Sequence, residues 1–292
     1  MACAPHPDHD RGLEFDLATL LSRRRTLGLF LGAGAAAALA ACTPAPIGQG
    51  GAPASSAAAT GGAAAPAATG AGPSPAVTRA LAGCGTGFPG EAAGPFTADG
   101  SNGPNVLEES GVVRRDITSS FGSSSTTVQG VPLEFTLTLL DGANGCRPLA
   151  GAAVYAWHCD RDGRYSLYDA GLENENFLRG VQEADGRGRV TFTTVFPGAY
   201  NGRWPHIHFE VFESMKNTTG AGRVLKVSQL ALPGDACSKV YATAGYGRSR
   251  RNFPNTPLAQ DGVFGDDGGI RQLAAVSGSP SKGYTASLNV TI

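Results

Sequence analysis

Apolar and polar residues alternate from Pro132 through Leu133, Glu134, Phe135, Thr136, Leu137 and Thr138 to Leu139, the period of two that a half-buried β-strand requires. Asp141-Gly142 and Asn144-Gly145 close that run with residues that accept turn geometry. The same reasoning predicts strands over residues 152–158, over 189–195 behind the turn signal Asp185-Gly186-Arg187-Gly188, and over 206–212, 224–232 and 286–292. The segments between them are too short for the crossover helices of a parallel α/β sheet. Residues 174–181 are the single helical candidate and read equally well as a loop. The pattern therefore predicts an all-β fold, a β-sandwich of mixed short strands with long loops.

Composition divides the chain. Of its 292 residues 42 are Gly and 19 Pro, and only 16% are charged, which means many turns and at least one low-complexity stretch. Residues 43–77 are almost entirely Ala, Gly, Pro, Ser and Thr; with nothing large to bury they cannot offset chain entropy and read as a flexible tether. Before it, Arg23-Arg24-Arg25 precedes an uncharged, Ala-rich run from Leu27 to Ala41 that is too short to span a membrane. Arginines followed by a weakly apolar segment resemble a twin-arginine export signal, with Thr26 where a Phe is usual. Leu39-Ala40-Ala41-Cys42 resembles a lipobox that would lipidate Cys42 and tether the protein to a membrane; an ordinary Ala-x-Ala cleavage nearby is the alternative. The expected organisation is an export signal over 1–41, a tether over 42–83 and a β-sandwich domain over 84–292, carried by an exported, surface-anchored, periplasmic or secreted protein.

Charge and cysteines narrow the classes further. A formal net charge of −1 argues against a nucleic-acid partner. Once the leader is removed, Cys84, Cys146, Cys159 and Cys237 remain beside Cys42, and in an oxidising compartment two disulfides are expected, with three pairings open. A zinc site is the competing reading, but no Cys-x-x-Cys pair or other close spacing is present.

The chemistry concentrates in residues 195–211. His206 and His208 lie two apart in an apolar run, so a strand would send both imidazoles to one face while Ile207 and Phe209 take the other. Such a pair is either a metal site or two ordinary polar residues on a sheet surface. Three histidines remain outside the leader; the third, His158, follows Trp157 directly and reads as structural. The turn Pro197-Gly198-Ala199 delivers Tyr200, and Asp162-Gly163-Arg164 delivers Tyr165; each Tyr taken alone is a packed aromatic.

Taken together these residues resemble the intradiol ring-cleavage dioxygenases, non-heme Fe(III) enzymes that open catechols between the two hydroxyl-bearing carbons. The resemblance runs from about residue 94 to 232. It rests on Gly94-Pro95-Phe96, Arg115-Asp116-Ile117, Trp157 with Gly163-Arg164-Tyr165, Arg179-Gly180 with Asp185 and Gly188, Pro197-Gly198-Ala199-Tyr200, Arg203-Trp204-Pro205-His206-Ile207-His208-Phe209, and Gln229 with Pro233-Gly234-Asp235. It implies Tyr165, Tyr200, His206 and His208 as iron ligands, with Tyr168 the rival for the first Tyr. Two phenolates and a hydroxide would balance Fe(III), so the buried site would carry no net charge. The family mechanism further implies that a catechol binds as a chelating dianion in place of hydroxide and Tyr200, and that O₂ attacks the ring to give a cis,cis-muconate type diacid. Arg203 would stabilise negative charge on the ring, and Gln229 matches a family active-site Gln. Two departures matter. The helical or partner-subunit region common in cytoplasmic members is replaced by the export signal and tether, which leaves the oligomeric state open, and the segment 165–179 carries no legible substrate signature. A non-catalytic exported sandwich that binds metal or aromatic ligands is the alternative.

Overall fold

The computed structural model of the protein describes residues 87–219 and 224–292. The expected export signal, the lipidation site Cys42, the tether and Cys84 lie outside the described residues.

Two sheets form the fold. The first contains β1 (Pro132–Asp141), the short β2 (Arg147–Pro148), β5 (Arg189–Val195), β8 (Ala275–Ser279) and β9 (Gly283–Thr291), with β1 at its centre between β9 and the pair β2 and β5. The second has the order β4 (Arg179–Glu183), β3 (Ala153–Trp157), β6 (His206–Phe212), β7 (Val224–Ala231). All pairings are antiparallel except β1 with β9. The all-β expectation holds, and each of the six predicted strands overlaps an observed one.

Alternation explains the packing. Leu133, Phe135, Leu137 and Leu139 point from β1 into the space between the sheets, where they meet Phe192 of β5, Ile207 and Phe209 of β6 and Val290 of β9. Full burial of each such side chain contributes about 1.5–3 kcal/mol. The two central strands of the second sheet are buried on both faces. Val154 and Ala156 enter the inter-sheet core, whereas Ala153, Tyr155 and Trp157 on the opposite face of β3 join a second cluster with Phe96, Val106, Leu107, Tyr165 and Tyr200. A layer of loops covers that outer face, so every residue of β3 and β6 is buried. A polar residue on this face, His206 or His208, is therefore inside the protein and not on its surface.

Three expectations need correction. Residues 174–181 are not helical: they end in β4, whose Arg179 is buried and breaks the alternation that would have revealed a strand. Two helices do occur among the described residues, α1 (Gly234–Tyr241) and α2 (Gly247–Asn252), each too short to show a helical period in sequence. Finally, Cys146 is disulfide-bonded, but Cys159 and Cys237 are buried free thiols. The pair of bridges expected from four cysteines therefore does not form. Cys159 lies in the loop-covered cluster and Cys237 in the inter-sheet core on α1, and both are packed as small hydrophobes.

Candidate active site

Three adjacent strands hold the centre of the site in register. His208 of β6 lies opposite Trp157 of β3 on one side and Gln229 of β7 on the other. The Trp157 and His208 rings stack at 4.9 Å and 3°, so the indole sets the plane of the imidazole. His206, two residues back on the same face, is held differently. Its Nδ1 donates to the Trp204 carbonyl at 2.5 Å, which leaves Nε2 as the bare nitrogen and aims it inward.

The two tyrosines arrive on turns that lock against each other. The Asp160 carboxylate accepts from the backbone N–H groups of Asp162 and Arg164 and from the Arg164 guanidinium, forming the compact turn that presents Tyr165. The turn after β5 docks on it: the Gly198 N–H donates to the Asp160 carbonyl at 3.0 Å, and the Ala199 N–H donates to Ser249 Oγ of α2. Gly198 is required for that approach, because a Cβ there would stand 2.5 Å from the Asp160 oxygen. Gly163, at φ 81° and against the Ala199 carbonyl, is required by both conformation and space. One backbone hydrogen bond thus brings Tyr165 to Tyr200 across 35 residues.

Four polar atoms converge as a result. Tyr165 Oη lies 3.4 Å from Tyr200 Oη, Tyr200 Oη 3.3 Å from His206 Nε2, and His206 Nε2 3.0 Å from His208 Nε2. Burial holds both imidazoles well below the usual histidine pKa; the Arg203 charge adds to this at His206, and His206 itself adds to it at His208. Burial likewise pushes the Tyr165 phenol far up. Two neutral nitrogens and two phenolic oxygens, all buried, suit a hard trivalent cation that would deprotonate the phenols. Donor separations of 3.0–3.4 Å also match neighbouring ligands at about 2.0–2.1 Å from one centre. Among the described residues no group of three or more His, Cys, Asp or Glu side chains converges in this way; half of this set is phenolic.

Tyr168, the rival ligand, is held elsewhere. Its hydroxyl accepts from the Ala98 N–H and donates to the Asn102 carbonyl, pinning the loop over the second sheet. Arg203 is buried beside the four-atom cluster, and its Nη2 donates to Gln229 Oε1 at 2.5 Å. Three further contributors were not assigned roles from sequence. Phe96 stacks on Tyr165 at 4.5 Å, Arg179 ties the strand edge to the loops, and Asp261 pairs with Arg203 from 58 residues away. Phe96 and Arg179 belong to motifs that carry the family resemblance, but nothing around Asp261 marks it in the sequence.

The family model described as Dioxygenase matches residues 102–236. The solved structure of an intradiol ring-cleavage dioxygenase from Tetranychus urticae is 28% identical, with a TM-score of 0.52 over 63% of this chain and 88% of its own. Residues 102–236 are thus similar in sequence to the dioxygenase family, and the fold is that of an intradiol ring-cleavage dioxygenase. A second dioxygenase crystal structure is 26% identical over 63% of this chain and 87% of its own chain, with a TM-score of 0.50. Hydroxyquinol 1,2-dioxygenase from Pseudomonas putida is more remote, at 18% identity and a TM-score of 0.43 over 74% of this chain and 73% of its own.

His158 plays a structural part. Its Nδ1 lies 2.8 Å from the Cys159 carbonyl and its Nε2 2.8 Å from Thr194 Oγ1. Burial pulls its pKa from 6.5 down to about 4. The unfolded chain therefore takes up this proton first, and the contribution to stability is complete above about pH 6.5 and lost as pH falls toward 4. At ~1.4 kcal/mol per unit the loss over that window is about 3 kcal/mol. In urea titrations between pH 7 and 4.5, His158→Gln should lose stability on acidification less steeply than the wild type. Equal slopes would contradict the assignment.

Proposed function

We propose that this protein holds one Fe(III) through Tyr165, Tyr200, His206 and His208 and cleaves catechol-type rings with O₂ to cis,cis-muconate type diacids. The observation that carries the reading is the convergence of two phenolic oxygens and two imidazole nitrogens within 3.4 Å of their neighbours. Iron held by these four residues would supply Lewis acidity toward a catechol and its ring.

The chain's own groups divide the remaining work. Tyr165 is 1% exposed and clamped under Phe96, so it stays in place. Tyr200 is 7% exposed and borders both Tyr165 and His206; it is the phenol placed to take a catechol proton on its Oη. His206 and His208 remain neutral because burial disfavours their charged forms. Arg203, buried and fixed by Gln229, offers a guanidinium to negative charge growing on the ring, where a preorganised donor acts without reorganisation. The packed aromatic wall of Phe96 and Trp157 keeps water from the ligand cluster.

Loading the purified protein with Fe(III) should give visible colour from phenolate-to-iron charge transfer, and added catechol should shift it. Oxygen uptake with a catechol panel is the expected accompaniment. Stoichiometric iron without colour would defeat the ligand set. Colour without oxygen uptake would instead identify a binding protein. Tyr200→Phe should weaken the absorption.

A further inference from the structure

We propose that Asp261 is the positioning residue that orients and charge-balances Arg203 for the ring-cleavage step, an inference that rests on the function proposed above. Asp261 lies beyond residues 102–236, which match the family model, in a segment that folds back over the entry to β6.

Both side chains of the pair are shut off from water, Arg203 at 2% and Asp261 at 0% exposure. Asp261 Oδ2 accepts from Arg203 Nε at 3.1 Å and from the Trp204 N–H at 2.6 Å. Its Oδ1 accepts from the N–H groups of Val263 and Phe264 at 2.8 and 3.1 Å. All four donors need an acceptor and none can be shared with solvent, so a carboxylate fits where an amide or an apolar group does not. The carboxylate also fixes the edge of the guanidinium. With Nε held by Asp261 and Nη2 held by Gln229, whose own Nε2 donates to the Ala92 carbonyl, the plane of Arg203 is determined by two anchors on different segments.

The same contacts reach the ligand strand. Trp204, whose N–H is bound to Asp261, offers its carbonyl to His206 Nδ1, and Phe264 packs edge-on against the His206 ring at 6.3 Å. Thr256 Oγ1 accepts from the Gly202 N–H, so residues 256–264 brace the approach to β6 at three points. The charge argument points the same way. An Arg without its carboxylate in this dry site would be costly to hold beside a metal cation, and it would turn or draw in water.

The test is a cycle of four iron-loaded proteins: wild type, Asp261→Asn, Arg203→Met and the double variant. Asp261→Asn should lower kcat by roughly 10–100-fold, the usual scale for groups behind a reacting residue, with the KM for catechol little changed. Its charge-transfer colour should match the wild type, because no ligand is altered. The double variant should be no slower than Arg203→Met alone, since Asp261 acts through Arg203. An unaltered kcat in Asp261→Asn, effects that multiply in the double variant, or loss of the colour would each overturn the proposal.

Urea unfolding of the same four proteins reads the pair without turnover. The two losses of stability should be less than additive, and additive losses would overturn the pairing itself. Wild-type protein that takes up no oxygen with any catechol would defeat the proposed function, and the urea coupling would then decide alone whether Asp261 fixes Arg203.

Discussion

Tyr165→Phe is expected to leave the fold intact, bleach or shift the colour of the iron-loaded protein and lower kcat with catechol by about 10³-fold or more. The substitution removes one oxygen and nothing else. The Tyr165 ring is 1% exposed, stacked on Phe96 at 4.5 Å and edge-on to Tyr200 and His208, and Phe fills the same volume. In the metal-free protein the hydroxyl costs little to lose, because its hydrogen-bond partner is Tyr200 Oη at a long 3.4 Å. Stability without iron should therefore stay within about 1 kcal/mol of the wild type. On the function proposed above, the iron-loaded protein would lose an anionic ligand. Lewis-acid stabilisation of several kcal/mol is then compromised, and each ~1.4 kcal/mol is tenfold in rate. Iron content, the visible spectrum and oxygen uptake measured on one preparation check this. Full activity with undiminished colour would remove Tyr165 from the ligand set and reopen the place for Tyr168.

Arg179→Met should be the most damaging single change outside the ligand cluster, with a loss of about 3 kcal/mol or more in unfolding free energy. Arg179 is 1% exposed, and its partners are neutral: Nε donates to Ser166 Oγ, Nη1 to the Phe96 and Thr97 carbonyls and to Tyr155 Oη, and Nη2 to the Ser166 carbonyl. Met matches the length but satisfies none of these acceptors. Each buried polar group left unpaired costs roughly 1–3 kcal/mol, which outweighs the relief from no longer burying a charge. The damage reaches the site, because Ser166 follows Tyr165 and Phe96 stacks on it. Iron affinity should fall along with stability. Lys should not rescue, since an ammonium cannot reproduce the planar fork. Urea midpoints for the wild type, Arg179→Met and Arg179→Lys check this; a shift of a few tenths of a kcal/mol would show that the loops are pinned by other contacts.

Arg179 also shows where sequence patterning stops. Alternation marked β1, β5 and β6 because one face of each strand is apolar, and the His206 and His208 pair was legible because a strand's period of two is fixed by backbone geometry. β4 escaped because its outer face is buried too, and there a charged residue paired with carbonyls and hydroxyls takes the place of an apolar one. The cysteines misled for a related reason. Counting thiols assumes that they meet in pairs, whereas Cys159 and Cys237 belong to different clusters on either side of the second sheet.

By itself the sequence determined the two-layer β architecture, the single face shared by His206 and His208, and the residue types that suit a hard metal ion. These follow from local periodicity and side-chain chemistry. Only the tertiary structure decided which distant groups meet. The Asp160–Gly198 hydrogen bond carries Tyr165 to Tyr200, the loop layer makes the outer face of the second sheet a dry interior, and Asp261 reaches Arg203 from beyond the region of family resemblance. Such contacts join residues far apart in the chain, and their partners are chosen by the packing of whole sheets and turns, which no local pattern records.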